Sequence, residues 1–345
     1  MRNVMHSIRW RLAWYQRRTH LKHPPEYVNV EPTNACNLTC TVCSLDRRRP
    51  SGLMDLDLAR AILDDAADSG VREVRFFLAG EPMLHPRLPE MVEHAARSKL
   101  RTVIHTNATR LSPDLGRNLI QAGLHEISFS FNGQNAEEYE AVHQGAAYQT
   151  TLANVVGFLE VKKSLKSKTP LTVLQMIQTM PEASNDIMGR TPMTSRGRDA
   201  RGTTNGLRPD FKKHFEGLPL DKVRILAPFT WPEQEATGFV ARKGSRYFPC
   251  QALWQSVSIG WDGSFLGCCG DLNHLWQIGK FPEQRILDVW NGPAMTEARR
   301  LLKVKNLDNL PLCYDCSAVW RNHHPIWSDL RDATFWIRDR LGGRQ

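Results

Sequence analysis

The eight cysteines of this chain fall into two groups that lie far apart in the sequence. The first group is Cys36, Cys40 and Cys43, with three residues between the first pair and two between the second. Three thiolates on one short loop can bind three corners of a four-iron cluster and leave the fourth iron without a protein ligand. An open coordination position is typical of a catalytic metal centre, whereas structural sites are closed. A zinc site would need a fourth ligand, from His23 or a distant residue.

The second group contains five cysteines, all of which lie after residue 249. A closing Cys-x-x-Cys pair, Cys313 and Cys316, follows Cys250 and the adjacent Cys268 and Cys269. Neighbouring side chains on a strand point to opposite faces, so one of the adjacent pair is expected to be surplus. The remaining four thiolates are sufficient for a fully ligated site, which could hold an iron–sulfur cluster or a zinc ion.

Composition and charge exclude several classes of protein. The chain has 345 residues, of which 41% are hydrophobic and 23% charged, so a sizeable core is expected and global disorder is not. No apolar run approaches the ~18 residues of a membrane-spanning helix. The basic N-terminus lacks the apolar segment of a secretory signal, so the cysteines indicate metal sites in a reducing cytoplasm rather than disulfides.

The net charge of +9 is concentrated at the N-terminus, where six basic residues and no acidic residue precede Glu26. The rest of the chain is nearly balanced, which disfavours a nucleic-acid-binding body and ranks an RNA-modifying enzyme low. The basic arm 1–24 is predicted to be an amphipathic helix. It would contact a membrane surface or a partner, or pack on the chain's own barrel through Trp10 and Trp14.

Short β-rich runs alternate with helical stretches from Tyr27 to about Leu226. Repeated βα units predict an α/β fold with a parallel sheet or barrel, whose chemistry lies on loops after the carboxyl ends of the strands. The predicted strands are 27–31, 73–79, 101–106, 125–131, 171–177 and 222–226. The predicted helices are 55–69, 87–98, 112–121, 150–166 and 209–216. The later segments 257–267 and 286–302 are predicted to form a hairpin and a helix.

The CxxxCxxC loop after the first predicted strand resembles the signature of the radical S-adenosylmethionine (SAM) superfamily. Gly80-Glu81-Pro82, after the second strand, is similar to the family motif whose backbone binds the SAM amino group. Thr106-Asn107-Ala108, after the third strand, is similar to the family's TN(G) segment. Four such elements in order make the resemblance specific. The fourth is Ser130 with Asn132, where the family contacts the ribose and carboxylate of SAM.

Two positions depart from the family pattern. Val42 stands where an aromatic residue is common, and His143 stands where a similar segment, 137–145, usually carries arginine. If that arginine binds the SAM carboxylate, His143 or a nearby arginine must replace it. Alternatively, His143 is an exposed residue at a helix end.

The resemblance implies a partial (β/α)6 TIM-like barrel that binds SAM and a [4Fe–4S] cluster. In this family the open iron chelates SAM, and one electron cleaves the sulfonium to give methionine and a 5′-deoxyadenosyl radical. That radical removes a hydrogen atom from the substrate. A flavodoxin- or ferredoxin-type protein is the electron donor expected from this chemistry.

Residues 248–263 and Asp288-Val289-Trp290-Asn291 resemble the twitch or SPASM modules of the same superfamily, as found in 2-deoxy-scyllo-inosamine dehydrogenase and peptide-modifying maturases. This implies an auxiliary [4Fe–4S] cluster on Cys250, Cys268, Cys313 and Cys316. A saturated cluster cannot bind SAM, so we expect it to take up the second electron of an oxidation. The spare Cys269 is expected to be a small buried residue or, alternatively, a hydrogen-atom donor.

The sequence therefore predicts an oxidoreductase of dehydrogenase type acting on a polar small molecule. A radical SAM epimerase that uses Cys269 and a peptide-modifying maturase are the alternatives. Four segments are expected: a basic arm (1–24), the barrel (25–226) with a flexible loop at 189–210, an auxiliary iron–sulfur module (227–325) and a C-terminal tail helix (326–345).

Overall fold

The computed structural model describes residues 2–177, 198–201, 207–226, 244–314 and 316–321. For residues 2–7 and 198–201 it describes the backbone alone. Its strands are β1 (Tyr27–Val30), β2 (Glu73–Phe76), β3 (Arg101–Thr106), β4 (Glu126–Ser130), β5 (Leu171–Ile177), β6 (Arg198–Arg201), β7 (Lys222–Leu226), β8 (Arg246–Tyr247), β9 (Ser256–Ile259), β10 (Ser264–Leu266), β11 (Gln277–Lys280) and β12 (Trp320–Arg321). Its helices are α1 (Arg2–Tyr15), α2 (Leu56–Asp68), α3 (Leu88–Arg97), α4 (Pro113–Gln121), α5 (Ala136–Val142), α6 (Tyr148–Ser164), α7 (Pro209–Lys212), α8 (Ala252–Gln255), α9 (Ile286–Trp290) and α10 (Pro293–Lys303).

Six parallel strands form the centre of the main sheet in the order β1-β2-β3-β4-β5-β7. Helices separate successive strands, as right-handed βα units require. The prediction of an α/β fold with a (β/α)6 core is therefore confirmed. Local signals set several helix starts: Asp55 caps α2 by accepting from the N–H groups of Asp57 and Leu58, and Ser112 caps α4.

The cysteine-bearing module is continuous with the barrel sheet. Strand β9 pairs parallel with β1, with Val28 opposite Val257, and β10 and β11 extend the sheet beyond it. The predicted hairpin is present, with its turn at Asp262 and Gly263. An open barrel of six strands leaves the edge of β1 unpaired, and β9 satisfies that edge.

Two predictions of secondary structure need correction. Within the segment 189–210, residues 198–201 form β6, antiparallel to β7, and residues 189–197 and 202–206 lie outside the described residues. Helix α7 begins at Pro209, where the predicted helix 209–216 begins. The predicted helix 286–302 is two helices, because Gly292 and Pro293 interrupt it and Gly292 becomes the N-cap of α10. The expected tail helix 326–345 also lies outside the described residues.

Each barrel strand has one apolar face and one polar face. Residues such as Val28, Phe76 and Ile104 belong to the core between the sheet and its helices. The opposite, interior face carries an ionic network near the amino ends of the strands. Arg75 and Arg101 each donate to Glu73 at 2.6 Å, and Arg101 also donates to Glu126 at 2.6 Å. Burial raises the pKa of Glu73, but the two guanidinium groups outweigh it and hold that pKa below its usual range.

The basic arm packs on the chain itself, which is the second of the two interpretations offered for it. Trp10 and Trp14 are fully buried, and Trp14 Nε1 donates to Pro249 O at 2.9 Å. The arm contacts the cysteine-bearing module, since Trp254 Nε1 donates to Arg18 O at 2.7 Å. Ile8 and Leu12 remain half exposed on the outer face. No helix in the described part of the chain is long and apolar enough to cross a bilayer.

Candidate cluster and cofactor sites

Residues 36–43, here called the cysteine loop, lie just beyond the carboxyl end of β1. Arg47 ties the loop to the segment that follows it: its Nε donates to Leu38 O at 2.8 Å, and its Nη1 donates to Leu45 O at 3.2 Å. Burial raises the pKa of Cys36, and it raises that of Cys40 to about 12, with the two neighbouring thiols adding to the effect on Cys40. Three thiols crowded into one half-buried loop suit a cationic partner that removes their protons.

The segment after α5 clamps the middle of the cysteine loop. Thr41 N donates to Val142 O at 3.0 Å, and Thr39 N donates to Gln144 O at 3.0 Å. Cys40 therefore lies directly opposite His143, with its Sγ 3.4 Å from His143 Nδ1. His143 is 3% exposed, so the alternative of an exposed helix-end residue is wrong.

Glu81 ties the loop after β2 to the loop after β3. Its carboxylate accepts from Thr106 Oγ1 at 2.6 Å, from Asn107 N at 2.7 Å and from Met83 N at 3.0 Å. Burial raises its pKa to about 7 in spite of these three donors. With both oxygens occupied by protein donors, the Glu81 side chain positions the surrounding backbone rather than facing a ligand itself.

Gly80 brings the loop after β2 against the start of the cysteine loop. Its φ is +69°, and a Cβ there would lie 2.3 Å from Thr33 O and 2.6 Å from Ala35 O, so only glycine fits. Glu81 N donates to Ala35 O at 2.8 Å. Pro82 starts the 3-10 turn at 82–84. The predicted Gly80-Glu81-Pro82 motif is thus built onto the segment that leads into Cys36.

Asn107 reaches the cysteine loop from the third strand. Its Nδ2 donates to Asn37 Oδ1 at 3.2 Å, and Asn37 Nδ2 donates to Thr109 Oγ1 at 2.8 Å. Ala108, which follows, has φ +60°, the left-handed conformation that favours glycine. This explains why a Gly suits the third position of the TN(G) pattern.

Ser130 ends β4, opposite Gln175, and lies at the same sheet edge. Asn132 uses its Oδ1 to accept from Ile177 N at 2.7 Å, and its own N–H donates to His143 Nε2 at 3.2 Å. The resemblance predicts a contact from His143 to SAM, but the structure places both ring nitrogens on protein atoms. Burial lowers the pKa of His143 to about 4, so the ring is neutral.

A second contact zone, here called the seam, joins residues 271–274 to residues 44–49. Asn273 Oδ1 accepts from Asp46 N at 2.8 Å, and its Nδ2 donates to Ser44 O at 3.0 Å. Leu272 packs with Leu45 in a small apolar cluster against which Cys36 and Cys43 lie. The segment that follows Cys268 therefore supports the segment that follows Cys43, a contact that spacing alone did not predict.

Glu31 extends the seam into the sheet. Its fully buried carboxylate accepts from Ala79 N and Trp261 N, each at 3.1 Å, and its Oε2 lies 2.9 Å from His274 Nε2. Ala79 immediately precedes Gly80. One buried carboxylate thus connects the loop after β2 with the cysteine-bearing module.

Four later cysteines, here called the auxiliary set, come together from three segments. Burial, together with the Cys250 and Cys268 thiols, raises the pKa values of Cys313 and Cys316 well above the usual range. Burial raises the pKa of Cys250 to about 11, with Cys268 adding to the effect. These mutual effects on pKa indicate that the four thiols are neighbours; Cys313 and Cys316 are buried, and Cys250 and Cys268 are half-buried.

Cys269 lies on the other side of this group. Its thiol adjoins Cys268, whose pKa it raises, and it also raises the pKa of Tyr27, although burial is the larger cause there. Tyr27 begins β1, so Cys269 neighbours the amino end of that strand, away from the cysteine loop. It is partly buried, next to a small crevice lined by Ser256, Leu266 and Gly267.

Two family models match the chain in the regions that contain these sites. Residues 30–174 match the Radical SAM superfamily, and residues 250–317 match SPASM, an iron–sulfur cluster-binding domain. The first range contains the cysteine loop, Glu81 and Asn107, and the second contains the auxiliary set.

Curated relatives match over part of their length. The chain is 30% identical over 138 residues to the AdoMet-dependent heme synthase of Methanosarcina barkeri, covering 39% of this chain and 39% of that protein. It is 36% identical over 121 residues to the GTP 3',8-cyclase of Chlorobaculum tepidum, covering 34% of this chain and 36% of that protein. The matches thus span less than two fifths of the length of these relatives.

Solved structures share the fold over most of the chain. BtrN in complex with AdoMet and 2-DOIA matches with a TM-score of 0.53 and 19% identity, covering 86% of this chain and 95% of BtrN. Streptococcus suis SuiB bound to precursor peptide SuiA matches with a TM-score of 0.56 and 15% identity, covering 91% of this chain and 74% of SuiB. At these identities the likeness shows the fold alone.

The donor atoms fit iron–sulfur clusters at both sites. In the auxiliary set, two sulfurs accept a backbone N–H from the residue two positions on: Cys268 from Gly270 at 3.2 Å and Cys316 from Ala318 at 3.5 Å. Burial raises the pKa values of Cys36 and Cys250, and the backbone N–H groups of Leu38 and Ala252 partly offset that effect. Such bonds suit a thiolate that carries negative charge. Among the described residues, no three His, Cys, Asp or Glu side chains are gathered closely enough for one metal ion.

Proposed function

We propose that this chain, which carries a radical SAM domain and an iron–sulfur cluster-binding SPASM domain, is an oxidoreductase that removes two hydrogens from a polar small molecule. The observation that carries the proposal is the inequality of the two cysteine sites. The cysteine loop offers three thiolates and leaves one position open for SAM, whereas the auxiliary set offers four and is closed.

When bound, SAM and the reduced cluster supply a radical that removes a hydrogen atom from a substrate carbon. The residues around the cysteine loop have a positioning role in this proposal. Glu81 and Asn107 hold the loops after β2 and β3 against residues 33–37, so the backbone that would receive SAM is fixed before it binds. A flavodoxin- or ferredoxin-type protein is proposed as the source of the first electron.

A dehydrogenation also requires that a second electron and a proton leave the substrate. Cys250, Cys268, Cys313 and Cys316 provide the site at which a closed cluster receives that electron. Strand β9 follows Cys250 and pairs with β1, which leads into the cysteine loop, so one sheet carries both sites. Cys268 rather than Cys269 is proposed as the ligand, because the Cys268 thiol, together with burial, raises the pKa values of Cys313 and Cys316.

The interior face of the barrel supports a polar substrate. Ser128 is fully buried, and among the described residues its hydroxyl has no hydrogen-bond partner. It lies beside His105 in the sheet register. The ring centroids of Phe77 and His105 are 4.7 Å apart. Burial lowers the pKa of His105 to about 3, so the imidazole is neutral. A substrate hydroxyl or amine would satisfy the Ser128 hydroxyl, whereas an apolar substrate would leave it unpaired.

Two other reactions remain as candidates. Precursor peptide is the ligand named for SuiB, and PqqA peptide cyclase of Granulibacter bethesdensis is 31% identical over 121 residues, which favours a peptide as the second substrate class. The second is epimerisation, in which the Cys269 thiol would return a hydrogen atom to the substrate; the position of that thiol next to Tyr27, at the amino end of β1, does not favour it.

The test uses anaerobically reconstituted protein, SAM, a reductant and 2-DOIA as the probe, because that compound is named with BtrN. A dehydrogenase gives a product lighter by two hydrogen atoms together with 5′-deoxyadenosine. A product whose mass is unchanged in H2O but is one unit higher in D2O, and which is lost in Cys269→Ala, would indicate an epimerase. The matched pair Cys268→Ala and Cys269→Ala decides the ligand: only the first is expected to lose about half of the iron.

A further inference from the structure

The hydrogen bonds of His143 determine where its proton lies. The backbone N–H of Asn132 can only donate, and it points to Nε2 at 3.2 Å. Nε2 must therefore carry a lone pair. In a neutral imidazole the proton then resides on Nδ1, which faces the sulfur of Cys40 at 3.4 Å.

The surroundings of His143 hold the ring in that orientation. Tyr139 stacks on the ring, with centroids 4.5 Å apart and an interplanar angle of 28°. The two backbone bonds from Thr39 and Thr41 flank the pair and prevent the loop from sliding past α5. The ring is 3% exposed, so water does not compete for Nδ1–H.

We propose that His143 is a positioning residue that donates Nδ1–H to the Cys40 sulfur and thereby raises the reduction potential of the cluster held by the cysteine loop. The proposal rests on the cluster-binding role of that loop given above. Hydrogen bonds to cluster sulfurs are among the determinants of reduction potential. A donor stabilises the reduced cluster more than the oxidised one, because reduction adds negative charge to the thiolate.

This role differs from a contact with the SAM carboxylate. Once Nε2 accepts from Asn132 and Nδ1 donates to Cys40, the neutral ring has no further N–H to offer. A variant that still accepts from Asn132 but cannot donate to Cys40 separates the two roles. Loss of a sulfur donor changes the reduction potential of the cluster, whereas loss of a SAM contact changes the affinity for SAM.

The experiment compares His143→Gln with His143→Asn in reconstituted holoenzyme. The glutamine carbonyl can still accept from Asn132, but the donor to Cys40 is lost; the asparagine amide keeps a donor near the Nδ1 position. Redox titration followed by EPR reads the potential of the cluster whose signal shifts when SAM is added. We expect a more negative potential in His143→Gln, a value close to that of the unmodified enzyme in His143→Asn, and less than about a twofold change in SAM affinity in both.

A spectroscopic measurement on the unmodified enzyme keeps the proposal testable if the variants misfold. With 15N-labelled histidine, the reduced SAM-responsive cluster is expected to show a weak nitrogen coupling and an exchangeable proton. The matched control is His85→Gln, a buried histidine bonded to Met54 O that should leave the potential unchanged.

Different outcomes overturn the role of His143 and the proposed function. An unchanged potential in His143→Gln overturns this inference, as does a tenfold or larger loss of SAM affinity at constant potential. If Cys36, Cys40 and Cys43 are changed to Ala and the SAM-responsive EPR signal survives, the proposed function itself fails.

Discussion

The cysteine loop and the auxiliary set differ in how the chain brings their sulfurs together. The loop supplies Cys36, Cys40 and Cys43 from eight consecutive residues, so their proximity is local. The auxiliary set collects its sulfurs from three segments, which meet only after β9 has paired with β1 and α10 has packed. A site of the first kind can be emptied with the fold intact, whereas a site of the second kind is part of the fold.

The surrounding contacts follow the same division. The cysteine loop is held by polar contacts from Asn107 after β3, from His143 after α5 and from Arg47, which follows the loop in the chain. In the auxiliary set, Cys313 and Cys316 are buried, with Cys313 in the main apolar core, and Cys250 and Cys268 are half-buried. Polar contacts that fix a partly exposed loop suit a site that must admit a ligand, and the burial of Cys313 and Cys316 suits a site that admits none.

Removal of the thiols should show the largest contrast between the two regions. Cys36, Cys40 and Cys43 changed together to Ala should roughly halve the iron and abolish SAM cleavage, while the thermal unfolding midpoint of the reconstituted protein changes little. Cys313→Ala with Cys316→Ala should also halve the iron, but it should lower the unfolding midpoint of the reconstituted protein because the cluster links distant segments. Iron analysis and calorimetry check both. Equal loss of stability in the two variants would break the comparison.

Glu81→Gln should have the next largest effect, confined to the cysteine-loop side. Glutamine offers one acceptor oxygen and turns an NH2 group toward N–H donors, so one buried donor at Met83, Thr106 or Asn107 loses its partner. A loss of about 1.5–3 kcal/mol predicts SAM binding roughly 10- to 100-fold weaker by titration, with iron content retained. Glu297→Gln, an exposed change on α10, is the matched control. Unchanged SAM affinity would remove Glu81 from the positioning role.

Asn273→Ala tests whether the two regions are coupled through the seam. It removes the bonds to Asp46 N and Ser44 O, so we expect a loss of about 1–3 kcal/mol in the free energy of unfolding. Because these bonds support the segment after Cys43, SAM affinity should fall as well, although Asn273 belongs to the auxiliary side. The exposed Asn309→Ala is the control, with an expected change within about 0.5 kcal/mol. A stability loss without any change in SAM affinity would show that the seam is only structural.

Ala108→Gly should have the smallest effect. Glycine relieves about 1–2 kcal/mol of left-handed strain, and it loses about 0.8 kcal/mol of methyl burial and further backbone entropy. These contributions nearly cancel, so unfolding should change by less than about 1 kcal/mol with SAM affinity retained. The same change at the buried helical Ala59 should be clearly destabilising. A large effect at Ala108 would mean that its methyl group shapes the SAM site.

Local features of this molecule could be predicted from the sequence, and long-range ones could not. The order of the βα units and the cysteine loop follow from periodicity and spacing, and Gly80 and Asn107 from a motif read at strand ends. The pairing of β9 with β1, the seam at Asn273 and the contact of Glu31 with His274 join residues more than 200 positions apart. Side-chain type carries no signal for such partners, because any strand can satisfy an open edge and any carboxylate can accept from an N–H.

His143 shows the same limit within a motif. The family pattern in the segment 137–145 assigns His143 to the SAM carboxylate, but the atoms that it contacts in the structure depend on where the Asn132 N–H points. That direction follows from the end of β4, and spacing does not specify it.

The central claim is that one site is open and the other closed, and titration of the reconstituted, reduced protein with SAM tests it most directly. We predict about eight iron and eight sulfide per chain, two EPR signals, and a shift of only one of them on addition of SAM. That signal should be absent when Cys36, Cys40 and Cys43 are replaced, and present when Cys313 and Cys316 are replaced. Stoichiometric zinc in place of the second cluster, or a SAM-induced shift of both signals, would contradict the account.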